Sequence, residues 1–235
     1  MMKRRWVIPD IHGCSGTLKM LMEGYIQPTK DDAIYFLGDY IDRGPDGKGV
    51  IDYIMSLQEE GLDVQYLIGN HEYYCMNAHE MDQHRWLTKS SIHKEWERYG
   101  AKMTLKSFGV SRPRDIDGKY IEWMKKGKYF IELDDYILVH AGMNFNIDDP
   151  FEDLQSMLWV RDFKIDTMRI GGKKIIHGHV PVEYSLIQLF IESGNYNFIA
   201  LDNGVYYRDQ KVGFGNLMAL ELNSMELIAQ PNIDF

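Results

Sequence analysis

Residues 33–44 read Ala-Ile-Tyr-Phe-Leu-Gly-Asp-Tyr-Ile-Asp-Arg-Gly, so a short apolar run is followed at once by charged side chains. The run Ala33–Leu37 has the length and the β-branched and aromatic content of a buried strand. Asp39, Asp42 and Arg43 stand where that strand would end. In open α/β sheets, ligands bind at the carboxyl ends of the strands. This stretch therefore predicts a sheet with a functional site at its edge.

Four other short segments repeat the pattern of an apolar run followed by polar residues. They are Asp10-Ile11-His12-Gly13, Gly69-Asn70-His71-Glu72, His140-Ala141-Gly142 and Gly178-His179-Val180-Pro181. The apolar runs before them are Trp6–Ile8, Val64–Ile68, Tyr136–Val139 and Ile175–Ile176. Carboxylate, amide and imidazole groups are the ligands that divalent metal ions take from proteins. Their recurrence at strand exits predicts a metal site at one edge of a sheet.

The first part of the chain alternates strand and helix patterns. Strands are predicted at about 5–9, 33–37 and 63–68, with helices near 15–23 and 46–59 between them. This βαβαβ order implies a mostly parallel sheet with helices on its faces. We expect residues 73–128 to be a helical insertion that caps the site. The insertion is rich in aromatic residues, namely Trp86, Trp96, Tyr99 and Trp123.

The remainder of the chain reads mainly as strands. A hairpin is predicted at 129–139, and further strands at about 174–177, 185–191, 197–201, 204–208 and 216–222. The predicted fold class is α/β (α+β), a two-sheet β-sandwich flanked by helices. A chain of 235 residues fits one domain with a sizeable core. We therefore expect residues 1–235 to form a single domain that includes the insertion.

The composition argues against several classes of protein. Hydrophobic residues make up 45% of the chain and charged residues 26%, as in globular proteins rather than disordered or fibrous ones. The net charge of −9 argues against a general nucleic-acid binder, and no apolar run approaches the ~18 residues that span a bilayer. We expect neither a nucleic-acid nor a membrane partner. Two cysteines and a short N-terminal apolar run indicate a cytoplasmic location.

The order and spelling of these five segments resemble the motifs of the calcineurin-like metallophosphoesterases. Gly-Asp-X-X-Asp-Arg-Gly at 38–44, followed by Gly-Asn-His-Glu at 69–72, is similar to the PPP-type serine/threonine protein phosphatases. Residues 42–54 resemble the small bacterial and phage members of that branch. The resemblance extends from Trp6 to about Leu222. It implies the metallophosphoesterase fold and a hydrolase in which a hydroxide bridging two metals attacks phosphorus.

The resemblance also implies a ligand set for two divalent metal ions. Asp10 and His12 would bind the first ion, Asp39 would bridge both, and Asn70, His140 and His179 would complete the second. Oxygen ligands mixed with imidazole suit Mn²⁺, the metal that we expect, and also Fe or Zn²⁺, better than Ca²⁺. Any one of these residues could instead be a helix cap or a packing residue, but six in the family's order argue against that alternative.

The same resemblance implies which residues act on the substrate. His71 would be the general acid, and Asp42 would keep it cationic by pairing with the imidazolium. Arg43 and Arg161 would bind the non-bridging phosphoryl oxygens, which a planar guanidinium can contact two at a time. Glu72 is expected to be a residue at a helix N-terminus or an acceptor of hydrogen bonds near the ligands rather than a metal ligand.

Pro181, in the last motif, bears on which branch of the superfamily the chain resembles. Many phosphodiesterases read Gly-His-X-His here, and the second His binds the first metal. This chain has Pro181 at that position, which favours the phosphatase branch. We expect His177, which precedes the motif, to be a core residue or a neighbour of the ligands rather than a ligand.

The sequence thus favours a metal-dependent phosphatase that hydrolyses phosphomonoesters, above all those of phosphoserine and phosphothreonine proteins. A close alternative is a diadenosine tetraphosphate hydrolase, a symmetrical bis(5'-nucleosyl)-tetraphosphatase, because relatives with almost the same motifs have that activity. A remote alternative is an inactive interaction module of the same fold, but no expected ligand is missing. The expected partner is therefore a phosphoprotein or a nucleotide polyphosphate.

Charge is distributed unevenly along the chain. Residues 85–128 contain 12 Lys or Arg and 5 Asp or Glu, whereas the rest contains 14 basic and 30 acidic residues. Lysines such as Lys125, Lys126 and Lys128 could guide an anionic substrate to the site. The alternative is that the insertion packs on an acidic core with its lysines in water. Both interpretations stay open at this point.

Overall fold

The computed structural model describes residues 3–83 and 88–235 of the chain. The strands are β1 (Arg5–Ile8), β2 (Ala33–Phe36), β3 (Asp63–Tyr66), β4 (Phe130–Glu132), β5 (Tyr136–Val139), β6 (Lys174–His177), β7 (Phe198–Ala200), β8 (Asn216–Glu221) and β9 (Leu227–Pro231). They form a five-stranded sheet of order β3-β2-β1-β8-β9 and a four-stranded sheet of order β4-β5-β6-β7. Each sheet contains three adjacent parallel strands, β1 to β3 in the first and β5 to β7 in the second.

Helices connect the strands and cover the outer faces of both sheets. They are α1 (Ser15–Lys19), which continues as a wider turn to Ile26, α2 (Gly47–Glu59), α3 (Asn70–Asp82), α4 (Ser91–Trp96), α5 (Ala101–Ser107), α6 (Gly118–Lys125), α7 (Leu154–Trp159) and α8 (Tyr184–Ser193), with short 3₁₀ turns at Glu97–Tyr99, Pro113–Asp115, Thr167–Ile170 and Val205–Gln210. None of these helices has the length and apolar content that crossing a membrane requires, within the residues that the structure describes.

Alternation along the strands sends side chains to separate cores on the two faces of each sheet. Val7 and Leu37 face the second sheet and pack in one cluster with Leu138 and Ile176. Their strand neighbours, such as Ile8, belong to a second cluster under the helices on the other face of the first sheet. Because both faces are covered, the parallel strands are apolar on both sides. Two packed sheets with helices outside confirm the predicted fold class.

Residues 73–128 are mainly helical, as predicted, since the described part contains most of α3, then α4, α5 and α6, and two 3₁₀ turns, joined by short loops. Trp96 and Leu105 from this segment belong to the same core cluster as Ile8 and Phe36 of the first sheet. The segment is therefore packed on the sandwich by a shared apolar core. That shared core supports our single-domain prediction, which stays a prediction. Trp86 lies outside the described residues.

The predicted strands at 185–191 and 204–208 are wrong. Residues 184–193 form α8, because Ile187 and Phe190 are buried at helical spacing while Leu186 and Leu189 are exposed. A helix also suits the crossover between the parallel strands β6 and β7. The second segment forms the 3₁₀ turn Val205–Gln210. Gly204, which directly precedes this turn, has a left-handed backbone with a φ of 64°.

The strand β9 is absent from the sequence prediction. It pairs antiparallel with β8 at the edge of the first sheet, and it ends at Pro231. Proline is tolerated on an edge strand because its missing N–H does not interrupt a ladder on both sides. The other predicted strands and the helices near 15–23 and 46–59 are confirmed within a few residues.

Candidate metal centre

The carboxyl ends of six parallel strands meet where the two sheets face each other. β1, β2 and β3 lead into Asp10, Asp39 and Asn70, and β5, β6 and β7 lead into His140, His179 and Asp202. All six side chains are buried. Five of them are ligands expected from the sequence, and Asp202 is an addition. Each sheet thus contributes three polar side chains to one site, as expected for ligands at strand ends.

Several of the loops that carry these residues have left-handed backbone conformations. The φ angles are 46° at His12, 52° at Asp39, 66° at Asp42, 64° at Arg43 and 65° at His179. Non-glycine residues rarely adopt this region, which costs on the order of 1–3 kcal/mol each. The strain is concentrated in residues proposed from the sequence to have catalytic or ligand roles. This concentration supports a functional role for the loops.

Asp39 lies at the centre of the site. Its Oδ2 is 3.5 Å from His140 Nε2, 3.7 Å from His12 Nε2 and 3.8 Å from His71 Nε2. These distances exceed those of hydrogen bonds to nitrogen. Metal bonds of about 2.0–2.2 Å place two ligands of one ion roughly 3–4 Å apart. The spacing around Asp39 therefore fits shared cations better than direct contacts between side chains.

Two of the histidines are held in the orientation of a metal ligand. His12 Nδ1 lies 3.0 Å from the carbonyl oxygen of Ile41, and His140 Nδ1 lies 2.9 Å from that of Leu37. When Nδ1–H donates to a carbonyl, the lone pair of Nε2 points to the opposite side of the ring. Burial also lowers the pKa of both imidazoles, which keeps them neutral. Both rings thus present Nε2 as a ligand atom.

Asn70 completes a second group of ligand atoms. Its Oδ1 is 3.1 Å from His140 Nε2 and 3.0 Å from His179 Nδ1, while His179 Nε2 is buried without a hydrogen-bond partner. With His140 donating through Nδ1, its Nε2 and the Asn70 oxygen are both acceptors. Two acceptors at this distance repel each other unless a cation lies between them. The donor atoms fit a metal ion on this side of Asp39.

The acidic residues of the site point to the same conclusion. Burial, and then the charges of Asp202 and Asp39, raise the pKa of Asp10 well above its ordinary value. Burial raises the pKa of Asp202 to about 7, and its Oδ2 has no partner. Buried carboxylates this close together need compensating positive charge. Two overlapping groups that share Asp39 could hold metal ions, His12–Asp39–His71 and Asp39–His140–His179.

Glu72 holds the backbone of the central loop. Its carboxylate accepts hydrogen bonds from the amides of Asp39 at 2.9 Å, Tyr40 at 2.8 Å, Ile41 at 3.3 Å and Gly69 at 3.0 Å. Burial raises the pKa of this carboxyl, but the four donors favour its ionised form. Glu72 therefore accepts hydrogen bonds beside the ligands, in agreement with the sequence prediction.

His71 and Asp42 form a buried pair beside Asp39. His71 Nδ1 is 2.6 Å from Asp42 Oδ2, and both side chains are almost fully buried. Burial alone would lower the pKa of His71, but the carboxylates of Asp39 and Asp42 outweigh it and raise the pKa above its ordinary value. An imidazole in this position is cationic and can donate a proton. The pairing with Asp42 is the one expected from the sequence, and the general-acid role of His71 stays a prediction.

Two residues of the insertion hold Asp42, and sequence reasoning missed both. Trp96 Nε1 donates to Asp42 Oδ2 at 2.6 Å, and Thr104 Oγ1 donates to Asp42 Oδ1. The hydroxyl of Thr104 also accepts from the amide of Asp42 at 2.9 Å. No local pattern marks Trp96 or Thr104 in the sequence, because each is more than 50 positions from Asp42. The insertion thus fixes the position of the Asp42 carboxylate.

The two predicted arginines are in different environments. Arg43 lies with its guanidinium carbon 4.1 Å from the ring centre of Tyr206, and its Nε is buried without a partner. Tyr206 also makes an edge contact with the His12 ring and was not expected from the sequence. Arg161 is exposed and lines a cleft that also includes His177. Arg43 is therefore already oriented at the site, whereas Arg161 stands at its rim.

His177 lies among aromatic side chains. Its ring centre is 5.5 Å from that of Phe163 and 5.8 Å from that of Phe198, and its Nδ1 lies 3.0 Å from the carbonyl of Gly178. It is absent from both potential metal-binding groups among the described residues. His177 is thus packed among aromatic rings beside the His179 loop, and the expectation that it is not a ligand stays a prediction.

Comparison with known proteins gives the same family as the motifs. The family model for calcineurin-like phosphoesterases matches residues 3–207. The chain is 29% identical over 150 residues to the asymmetrical bis(5'-nucleosyl)-tetraphosphatase PrpE of Oceanobacillus iheyensis, covering 58% of this chain and 55% of that protein. It thus spans about half the length of this relative.

Two further matches extend over most of the chain. Serine/threonine-protein phosphatase 2 of Salmonella typhimurium is 25% identical over 210 residues, covering 81% of this chain and 87% of that protein. A solved structure described as a putative diadenosine tetraphosphatase has a TM-score of 0.63 at 16% identity, covering 100% of this chain and 96% of that one. The structural match shows the common fold. With the family model matching most of its length, this chain belongs to the calcineurin-like phosphoesterase family.

Proposed function

We propose that this protein hydrolyses bis(5'-nucleosyl) tetraphosphates with the aid of two divalent cations, and that the expected metal is Mn²⁺. The observation that carries the chemistry is the convergence of three histidine Nε2 atoms on Asp39 Oδ2. The tetraphosphatase relatives support the substrate class. The sequence alone favoured a phosphoprotein phosphatase, and the comparisons favour its alternative.

Six residues would hold the cations. They are Asp10, His12, Asp39, Asn70, His140 and His179. Two divalent cations held by these residues would supply an activated water molecule and positive charge for the phosphoryl oxygens. Arg43, with an unpartnered Nε at the site, would bind a non-bridging oxygen, and Arg161 at the rim would bind another phosphate. His71, kept cationic by Asp42, would protonate the leaving oxygen.

A phosphoprotein is the second candidate substrate, and the His71–Asp42 pair favours it. A serine or threonine alkoxide is a strong base and needs a proton as it leaves, whereas a nucleotide phosphate leaves readily as an anion. A buried ion pair that keeps the general acid cationic therefore accelerates phosphoserine or phosphothreonine hydrolysis more than tetraphosphate hydrolysis. The extensive match to the Salmonella phosphatase supports the same candidate.

A direct comparison of substrates tests the proposal. Turnover of diadenosine tetraphosphate and of a phosphoserine peptide is measured side by side with Mn²⁺, and nucleotide products are separated by chromatography. We expect a higher kcat/KM for the dinucleotide. Two ADP would indicate symmetrical cleavage, and AMP with ATP would indicate asymmetrical cleavage. A higher kcat/KM for the phosphopeptide would overturn the proposal in favour of the second candidate.

Asp39→Asn tests the shared-ligand role of Asp39. The amide removes a negative charge from the centre of both ligand groups, so we expect loss of bound metal and of activity together. Metal content after dialysis and turnover on p-nitrophenyl phosphate are the readouts. Asp31→Asn, at an exposed position, is the matched control. Two retained metals with full turnover in Asp39→Asn would contradict the bridging role.

A further inference from the structure

An apolar cleft of about 240 Å³ adjoins the candidate metal centre. His177 and Val180 line it, and they flank the proposed ligand His179 in the sequence. The cleft and the metal centre therefore lie on two sides of one loop. Neither the ligand set nor the catalytic pair uses the cleft.

The walls of the cleft are aromatic and aliphatic. Phe163 and Phe198 both line it and both contact the ring of His177. Leu186 from α8 closes one side and is partly exposed to solvent. With Nδ1 of His177 donating to the Gly178 carbonyl, its Nε2 keeps a lone pair that can accept a hydrogen bond. The lining thus combines flat apolar surfaces with one polar acceptor.

Charge is present only at the rim. Arg161 and Asp162 are exposed there, and Arg161 is the one cation among the residues that line the cleft. A guanidinium between an apolar cleft and a phosphate-binding centre suits a ligand that has a ring at one end and phosphates at the other.

The volume restricts the occupant. Sites for whole drug-sized ligands measure about 300–1,000 Å³, so this cleft suits one ring system rather than a complete nucleotide. Planar rings gain from stacking on aromatic side chains regardless of base identity. A purine with an exocyclic amino group could also donate to the His177 acceptor.

We propose that this cleft binds one nucleobase of the substrate, with the attached phosphates passing Arg161 to reach the metal centre. The inference rests on the proposed nucleotide substrate, because a phosphopeptide has no base to place there. An apolar side chain of a peptide is the competing occupant, and the test below separates the two.

Binding of AMP and of ribose 5-phosphate, measured by titration calorimetry with Mn²⁺, isolates the contribution of the base. Both ligands carry the same phosphate and sugar, and phosphate is assayed afterwards to exclude hydrolysis. Stacking of a base on aromatic rings is worth a factor of about ten or more. We therefore expect AMP to bind at least tenfold more tightly. Equal affinities would overturn the inference.

A pair of variants on α8 locates the base. Leu186→Glu places a carboxylate in the cleft, and Leu189→Glu makes the same charge change on the same helix at an exposed residue that does not line it. We expect Leu186→Glu to abolish the preference for AMP and Leu189→Glu to retain it. Phe198→Leu, which removes a ring and keeps apolar volume, should also reduce the preference. An unchanged preference in Leu186→Glu would place the base elsewhere, and thermal unfolding checks that each variant is folded.

The substrate comparison separates this inference from the proposed function. Dinucleotide turnover without a preference for AMP would overturn the cleft assignment and leave the function standing. Faster phosphopeptide turnover with a cleft-dependent preference for AMP would overturn the function and leave a base-binding site. Faster phosphopeptide turnover without that preference would overturn both.

Discussion

His71 shows how two neighbouring carboxylates decide the protonation state of the proposed general acid. Its Nδ1 lies 2.6 Å from Asp42 Oδ2, and both side chains are almost fully buried. Burial alone would favour the neutral ring, a far weaker acid than the imidazolium, and the carboxylates of Asp39 and Asp42 together outweigh it. In the proposed function the chemistry therefore depends in part on Asp42, which is not one of the proposed ligands.

His71→Asn tests this role. Loss of a general acid slows turnover by about 10²–10⁴-fold, and we expect the larger effect on substrates with basic leaving groups. Metal content should stay near that of the unmodified protein. His79→Asn is the control, because it makes the same change on the same helix at a residue that contacts the carbonyl of Pro113. Full activity of His71→Asn on a phosphoserine peptide would contradict the assignment.

Asp42 is in turn held by the insertion, which gives a second prediction. Trp96→Phe removes one donor from a buried carboxylate, so we expect a loss of about 1–3 kcal/mol in unfolding free energy. Turnover should fall about tenfold because His71 loses its fixed partner. Trp123→Phe is matched, since Trp123 Nε1 donates to Gln58 and lies in the same core cluster. Equal turnover in the two variants would show that Trp96 has only a structural role.

The sequence could locate the proposed ligands but not all their neighbours. Asp202 follows a strand that was correctly predicted, so the strand-exit pattern that marks Asp39 could have found it. Tyr206 and Thr104 carry no such signal. They reach the site through packing between segments that are far apart in the chain, and a single sequence contains no record of that packing.

At the scale of elements, the N-terminus of α3 joins two of the ligand loops. Asn70 is its first residue, and Glu72 in its first turn accepts four backbone amides from the loops after β2 and β3. One helix start therefore places a ligand and determines the shape of the neighbouring loop. This connection explains how short loops keep a strained backbone.

Glu72→Gln tests the connection. The amide NH₂ group cannot accept hydrogen bonds, so some of the four amides would lose their partner. We expect a loss of about 1–3 kcal/mol in unfolding free energy and metal affinity weaker by about 10–100-fold. Chemical denaturation and metal titration are the measurements. Glu80→Gln, exposed on the same helix, should leave both unchanged. Unchanged metal affinity in Glu72→Gln would show that the loop keeps its shape without this carboxylate.

Regular elements were predictable where the sequence carries two agreeing signals. For α2, the helical spacing of the apolar residues Val50, Ile51 and Ile54 is the first signal. The second is the N-cap Asp46, whose carboxylate accepts from the amide of Gly49 at 2.9 Å. The segment 185–191 has apolar content that suits either a strand or a helix, and only the crossover between β6 and β7 decides between them. Prediction therefore failed where the apolar pattern suits two structures and only the position in the fold decides between them.

At the scale of the whole molecule, an acidic protein has a basic segment. Lys125 pairs with Glu122, and Lys128 donates to Gln65, so part of this charge is already engaged on the surface. Steering of an anionic substrate by the remaining charge stays a prediction. Such steering depends on the long-range electrostatic field of the protein, which salt at about 0.1–0.15 M screens over a Debye length of about 8–10 Å.

Reversal of Lys125, Lys126 and Lys128 to Glu tests steering. If the segment guides the substrate, kcat/KM should fall at low ionic strength and its dependence on salt should become weaker. The matched control reverses Lys3, Lys19 and Lys30, which lie outside the basic segment and give the same change in net charge. Identical salt dependence in the two triple variants would leave the insertion with a packing role only.

The left-handed conformations at Asp39, His12 and His179 have an evolutionary consequence. Glycine adopts such angles without strain, so replacing any of these residues with glycine would relax the backbone. It would also delete a side chain that we propose as a metal ligand. Selection for thermal stability and selection for the proposed activity therefore act in opposite directions at these three positions.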